Sequence, residues 1–184
     1  MVDRTKLAIV AGFNTLITQK DFEDITIQDI CREAKVSKAT FYRYFKDKYD
    51  AMNYNYKQML DDSLLDESVH NYRDLYFRLY ELGETRLRAV QGAFRSTGIN
   101  SLENFIYTYS RDIVIDITRQ NRGGKGLTET ERLQLDVFCY GISYMYKHWV
   151  AGEYRIGAKR AAEELYAMMP PTLREYWLVD EVRG

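Results

Sequence analysis

Residues 25–48 read ITIQDICREAKVSKATFYRYFKDK, and this stretch decides how the rest of the chain is interpreted. Thr26 stands three positions before Asp29, an arrangement that is typical of the start of a helix with Thr26 as its N-cap. Ser37 can cap a second helix in the same way, by accepting a backbone N–H group. The stretch therefore predicts a short helix, a three-residue turn over 35–37 and another short helix.

The second of these helices, residues 38–45, carries basic and aromatic side chains on the faces that point away from the core. Phe41 and Phe45 are four positions apart and can face the core together, which turns the other side chains toward other faces. Between Arg32 and Lys48 there are six basic and two acidic residues, a local charge of +4 in a chain of net charge −1. Such a patch can pair with phosphates, and a short helix is narrow enough to enter the major groove of DNA.

Composition favours a helical protein. The chain has 184 residues, of which 46% are hydrophobic and 29% charged, and this excludes low-complexity and disordered classes. Two prolines against 16 tyrosines favour long uninterrupted helices. Cys31 and Cys139, with His70 and His148, show no metal-ligand spacing, so we expect no metal and no cofactor. No apolar run reaches the length of a signal segment or a membrane span, and we expect a cytoplasmic protein without a membrane partner.

Apolar periodicity predicts the other helices. The spacing of Ile9, Phe13 and Leu16 predicts an amphipathic helix over 5–19, and a long helical pattern starts at Asp47. Further helices are predicted over about residues 72–89, 102–119, 128–151 and 158–169, separated by stretches rich in glycine, serine and asparagine.

The quoted stretch resembles the DNA-binding head of the TetR family of bacterial transcription regulators, and the match covers about residues 9–52. The family pattern is met by Thr26, Ile30-Cys31, Val36-Ser37, Tyr42, Tyr44-Phe45 and Lys48. Lys35 stands where the family usually has the turn glycine, so this turn is strained or altered if the φ of Lys35 is positive. The resemblance implies an all-α fold: a three-helix DNA-binding head with a helix-turn-helix, residues 1–48, and a helical effector-binding and dimerisation bundle, residues 49–184.

The resemblance also implies which residues of the head touch DNA. Phosphate contacts are expected from Thr26, Tyr42, Tyr44 and Lys48, and base edges are approached by Gln28, Lys38, Ala39 and Thr40. Ser37 and Arg43 complete the predicted DNA-binding set. Side-chain geometry agrees, since Lys38 can reach guanine, Gln28 can pair with adenine, and Ala39 or the Thr40 methyl can contact thymine.

The helix over 128–151 is apolar on two faces and therefore needs two packing partners. One face carries Leu133, Val137, Tyr140, Gly141 and Tyr144, and the other carries Leu135, Phe138, Ile142, Met145 and Trp149. Either a second copy covers one of these faces or a monomer buries both. The resemblance implies a homodimer built from this helix and the last long one, with the interface residues Val137, Tyr140, Gly141, Tyr144, Ala158, Ala161, Ala162, Leu165 and Met169.

The resemblance further implies a small-molecule effector in the bundle. Candidate pocket walls are the aromatic residues Tyr56, Tyr72, Tyr76, Phe77, Tyr80, Phe94, Phe105, Tyr109 and Tyr144. Tyrosine offers a π-face and a polar group, which suits an aromatic or amphipathic ligand.

These observations predict a transcriptional regulator, most often a repressor in such a family, that binds a palindromic operator in double-stranded DNA as a dimer and responds to a small molecule. The alternative is an adaptor or coactivator of the same fold whose bundle binds a protein partner. We expect no enzyme, because no catalytic triad or carboxylate pair stands out and the segment Asn121–Gly126 lacks the spacing of a phosphate-binding loop.

Overall fold

A computed structural model describes residues 3–95 and 101–177, and every regular element in these ranges is helical. The helices are α1 (Arg4–Gln19), α2 (Ile27–Glu33), α3 (Lys38–Tyr44), α4 (Lys48–Leu65), α5 (Tyr72–Thr85), α6 (Leu87–Ala93), α7 (Leu102–Asn121), α8 (Glu129–Val150), α9 (Ala158–Met168) and α10 (Pro171–Arg174), with a 3₁₀ turn at Phe22–Asp24. The all-α fold class is confirmed. None of the described helices is both long and apolar enough to span a bilayer.

The chain divides into two compact units. The first comprises Met1–Met59 and Arg86–Leu102, and the second comprises Leu60–Thr85 and Glu103–Gly184. The first unit therefore extends beyond the segment 1–48 expected from the sequence and also includes α6.

Close helix contacts organise the first unit. Phe13 of α1 and Phe22 of the 3₁₀ turn are buried and meet edge to face, with ring centroids 6.0 Å apart. Gly12 faces the backbone of Ala34, just beyond α2, where an added Cβ would lie 2.9 Å from the Ala34 nitrogen. The missing side chain at Gly12 thus lets α1 approach the end of α2.

The helix predicted over 72–89 is in fact two helices. Arg86 has non-helical dihedral angles, φ −123° and ψ 26°, between α5 and α6. In the first unit α6 packs on the Phe22–Asp24 turn, and a Cβ at Gly92 would lie 2.5 Å from the Cβ of Phe22. The prediction of one continuous helix is wrong. The two helices are separated by the packing of α6 on Phe22, and not by a helix-breaking residue between them.

The second unit is built around α5 and α9, which pack on each other. Buried aromatic residues of α5 meet aromatic residues of α8: Tyr80 lies 4.7 Å from Trp149 and 5.3 Å from Tyr146 between ring centroids. Gly83 sits against Tyr146, where a Cβ would approach the phenolic oxygen to 2.4 Å. Small and aromatic side chains together form this core.

An ion pair fastens the connection between α7 and α8. Arg122 binds both carboxylate oxygens of Glu131 and donates to the Tyr176 hydroxyl at 3.2 Å. Glu131 also accepts the backbone N–H of Thr128, the N-cap of α8, at 2.9 Å. The Arg122 guanidinium and the Thr128 groups hold the pKa of Glu131 at about 2, below its ordinary value.

Candidate nucleic-acid interface

Two capped helices and a left-handed turn form the helix-turn-helix of the first unit. The Thr26 hydroxyl accepts the Asp29 N–H at 3.1 Å at the start of α2, and the Ser37 hydroxyl accepts the Thr40 N–H at 3.0 Å at the start of α3. Between them Lys35 has φ +55°, and among the described residues it is the one non-glycine residue with a positive φ. The turn thus carries the strain expected when a lysine replaces glycine.

Helix α3 turns its apolar side inward and its polar side to solvent. Phe41 is fully buried and Phe45 nearly so, with ring centroids 5.8 Å apart. Of the predicted DNA-contacting residues, Thr26, Gln28, Ser37, Lys38, Ala39, Tyr42 and Arg43 are exposed, while Thr40, Tyr44 and Lys48 are half-buried. The buried phenylalanines therefore fix the helix that presents the exposed set.

Lys48 does not have a free ammonium group for phosphate. Its Nζ donates to the carbonyl oxygens of Phe22 and Glu23 at 3.0 Å and of Ile25 at 3.2 Å. A lysine ammonium has three donors, and all of them are engaged here. In the chain without DNA the side chain closes the end of the Phe22–Asp24 turn, so Lys48 as a phosphate ligand stays a prediction that requires these bonds to be given up.

Thr26 and Tyr44 also have partners within the chain. The Thr26 hydroxyl and the Asp29 carboxylate cap α2 reciprocally, and Lys20 binds the same carboxylate at 3.0 Å. The Tyr44 hydroxyl donates to Asp3 at 2.6 Å. Sequence reasoning missed Asp3 at this interface. An aspartate just before an amphipathic helix is a recognisable N-cap, but no local pattern indicates a contact with a residue 41 positions away.

The family described as "Bacterial regulatory proteins, tetR family" matches residues 9–51, which include most of α1 and all of α2, the turn and α3. The chain carries a TetR-family DNA-binding segment. The matched segment includes the helix-turn-helix, so the similarity to bacterial regulatory proteins falls on the candidate interface. No curated protein matches the sequence significantly.

Solved structures share the fold over nearly the whole chain. The dihydroxyacetone kinase operon activator DhaS is 13% identical, with 95% of this chain and 99% of that chain covered and a TM-score of 0.63. The fatty acid degradation regulator FadR from Bacillus halodurans is 12% identical, with 95% and 98% covered and a TM-score of 0.56. RolR in complex with resorcinol is 17% identical, with 98% and 91% covered and a TM-score of 0.54. At these identities the similarity shows a common fold.

The residues predicted for a TetR-type dimer interface separate into an exposed and a buried group. Val137, Tyr140 and Tyr144 of α8 are exposed, Val137 to 75%, and Gly141 lies among them. The second group is buried within the protomer: Ala158, Ala161, Ala162, Leu165 and Met169. This second stripe of α9 packs within the second unit, chiefly on α5, and its place in a dimer interface stays a prediction.

An open apolar groove of about 620 Å³ runs along the exposed face of α8. Its walls include Leu133, Val137, Gly141, Met145 and Met168. Leu133 and Met168 are more than half exposed, so this apolar surface faces solvent in the single chain. Exposed apolar surface of this kind marks an interaction site.

The nine aromatic residues predicted for the effector pocket have different surroundings. Tyr72, Tyr76 and Tyr80 are buried in the core of the second unit, and their burial raises the pKa of each phenol. Phe105 and Tyr109 stack on α7, and the Tyr109 hydroxyl bonds to the Asp61 carboxylate. Exposed positions are taken by Phe77 and Tyr144, and the first unit contains Tyr56 and Phe94.

Proposed function

We propose that the chain is a sequence-specific transcriptional regulator that binds a palindromic operator as a homodimer and changes its operator affinity when a small molecule binds the second unit. The observation that carries this proposal is α3, which offers Lys38, Ala39 and Tyr42 to solvent while Phe41 anchors it from behind. A recognition helix must be exposed on one side and rigidly held on the other.

Contacts at the start of α3 support base recognition. Lys38 and Ala39 occupy its first turn, directly after the cap at Ser37, and the N-terminal residues of a recognition helix are those that contact base edges. We propose that Lys38 reads guanine and that Ala39 contacts a thymine methyl. Gln28, exposed on α2, is the further candidate for adenine.

The exposed face of α8 supports a homodimer. Gly141 has no neighbouring atom within 4 Å of the place where a Cβ would lie, so nothing in the described protomer explains a glycine in the middle of this helix. A mid-helix glycine costs about 1 kcal/mol relative to alanine. We propose that the backbone at Gly141 is approached by the same helix of a second copy, whose Val137 and Tyr140 cover the groove.

Repression and small-molecule release complete the proposal. Stacked and buried tyrosines in the second unit support an aromatic or amphipathic effector. RolR, which has a similar fold, binds resorcinol, so small phenols are the first effector class to examine. Another protein of similar fold, DhaS, is an operon activator, so the sign of regulation needs its own measurement.

A second candidate function is an adaptor whose second unit binds a protein. It is favoured by the open groove beside Leu133, Val137 and Met168, since an exposed apolar groove also suits a partner helix. The two candidates differ in solution. A homodimer hides this groove, whereas an adaptor must keep the groove accessible to its protein partner.

The function is tested by incubating the purified chain with fragmented genomic DNA of its source at near-physiological salt and sequencing the bound fragments. Enrichment of one inverted repeat is expected. Transcription in vitro from an enriched promoter then reports the sign of regulation, and resorcinol and other small phenols are tested for release of the fragment. Uniform recovery of all fragments by a folded chain would contradict sequence-specific regulation.

The dimer is tested with Gly141→Leu, which fills the space left for the second copy. Arg132→Leu is the matched control, because it adds the same side chain to the same helix about 180° away around its axis. We expect Gly141→Leu alone to convert the dimer to a monomer in sedimentation experiments with the helical content unchanged. A dimer that survives Gly141→Leu would place the interface elsewhere.

A further inference from the structure

Asp3 joins the beginning of α1 to the end of α3. One carboxylate oxygen accepts the Thr5 N–H at 2.9 Å and caps α1, and the other accepts the Tyr44 hydroxyl at 2.6 Å. The Arg43 guanidinium lies 3.4 Å from the Tyr44 hydroxyl oxygen and 5.0 Å from the ring centroid. A carboxylate, a phenol and a guanidinium therefore meet at the C-terminal end of α3.

Tyr44 and Arg43 have the chemistry of a phosphate contact. Tyrosine hydroxyls and guanidinium groups are common donors to DNA phosphate oxygens. The Tyr44 hydroxyl has a single proton, and here it donates that proton in a hydrogen bond to the Asp3 carboxylate. A phosphate at this place would have to displace Asp3 as the acceptor of this hydrogen bond and would also meet the negative charge of the carboxylate.

Asp3 is charged at neutral pH. The hydrogen bond from Tyr44, followed by the backbone N–H of Thr5, holds the pKa of Asp3 below its ordinary value. The carboxylate is therefore an anion bound where the chain offers phosphate donors.

We propose that Asp3 competes with DNA phosphate for the Tyr44 hydroxyl, and so lowers the affinity of the first unit for DNA of any sequence. The proposal rests on the proposed function, because it concerns the same DNA-binding surface. Weaker non-specific binding increases the ratio of the affinity for the operator to the affinity for bulk DNA, since phosphate contacts dominate non-specific binding.

The experiment compares wild type with Asp3→Asn in the full chain, using fluorescence anisotropy on a labelled duplex of arbitrary sequence at several salt concentrations. Asparagine caps helices as well as aspartate, so this variant keeps the cap of α1 and removes the charge. Glu33→Gln is the matched control, because it neutralises another exposed carboxylate of the same unit. Circular dichroism checks that each variant is folded.

We expect Asp3→Asn to bind roughly three- to tenfold more tightly than wild type, the size of one close charge interaction in bulk water. In this variant Tyr44 is free to donate to a phosphate in each protomer, and because a neutral hydroxyl releases no counterion, the slope of affinity against salt should change by less than one unit. When Tyr44→Phe is already present, adding Asp3→Asn should increase the affinity for DNA by no more than Glu33→Gln does. This coupling separates competition for Tyr44 from a simple change in net charge.

Two results would overturn the proposal while leaving the proposed function intact. In the first, wild type binds DNA and Asp3→Asn binds equally or more weakly. In the second, Asp3→Asn increases the affinity as much in the Tyr44→Phe background as it does in wild type. Failure of the proposed function looks different, because folded wild type and Asp3→Asn would then both leave the duplex unbound, and the competition would be rejected with it.

Discussion

Gly12 in α1 lies directly against the backbone of Ala34. A Cβ added at residue 12 would be 2.9 Å from the Ala34 nitrogen. The contact brings the first helix onto the end of α2, immediately before the turn that leads into α3. The absent side chain at Gly12 thus permits the close approach of α1 to the end of α2.

Gly12→Ala is expected to destabilise the fold by about 1–2 kcal/mol, because overpacking against a backbone atom outweighs the higher helix propensity of alanine. Urea unfolding measures the change. Ala11→Ser, at the exposed neighbouring position, should change stability by less than about 0.5 kcal/mol. Equal stability of Gly12→Ala and wild type would show that α1 and α2 can separate without cost.

Lys35→Gly is expected to stabilise the fold by about 0.5–1 kcal/mol. Glycine relieves the strain of a left-handed residue, and the greater freedom of the unfolded chain cancels part of the gain. Lys35→Ala removes the same charge and keeps the strain, so it should not be stabilised. If both variants unfold at the same denaturant concentration, the turn is not strained.

Lys48→Ala is expected to cost about 2 kcal/mol, because three carbonyl oxygens lose a charged donor. The salt dependence of DNA binding should stay close to that of wild type, since the ammonium group has no donor left for phosphate. Lys46→Ala is the control at an exposed position nearby. Unchanged stability with a salt slope reduced by about one unit would restore Lys48 as a phosphate ligand.

Glu131→Gln tests the ion pair with Arg122 through pH. The pKa of Glu131 is about 2 in the folded chain and near 4.5 when the chain unfolds, so its stabilising effect is complete above pH 4.5 and is lost as the pH falls toward 2. Glutamine keeps the capping geometry of α8 and does not titrate. The stability gap between wild type and Glu131→Gln should therefore narrow from pH 5 to pH 3. A gap that stays constant over this range, or one that Glu129→Gln reproduces, would contradict the role of the pair.

Local signals in the sequence predicted the caps of α2 and α3 and the conditional strain at Lys35. Capping and φ preferences depend on a few neighbouring residues, which explains this success. The division between α5 and α6 was missed because the helical pattern continues through Arg86, and the packing of Gly92 on Phe22 lies far away in sequence. Chain separation also hid the partners of Lys48 and Tyr44, which are more than 20 positions distant.

The apolar stripes of α8 and α9 show a second limit of sequence reasoning. Periodicity identified both stripes, but it does not state which neighbour a stripe contacts. Val137 and Tyr140 face solvent, whereas Ala161 and Leu165 are buried within the second unit. Only the structure separates the surface available to a second copy from the core of the protomer.

In the proposed function, a dimer reads DNA through Lys38 and its neighbours on α3. The most direct test selects bound sequences from a random duplex library with wild type and with Lys38→Ala. We expect wild type to select an inverted repeat whose half-sites are centred about 34–36 Å apart or a multiple of that spacing. Lys38→Ala should select the same repeat with base preference lost at one symmetric pair of positions. Selection of no repeat, or of an identical site by both proteins, would contradict the account.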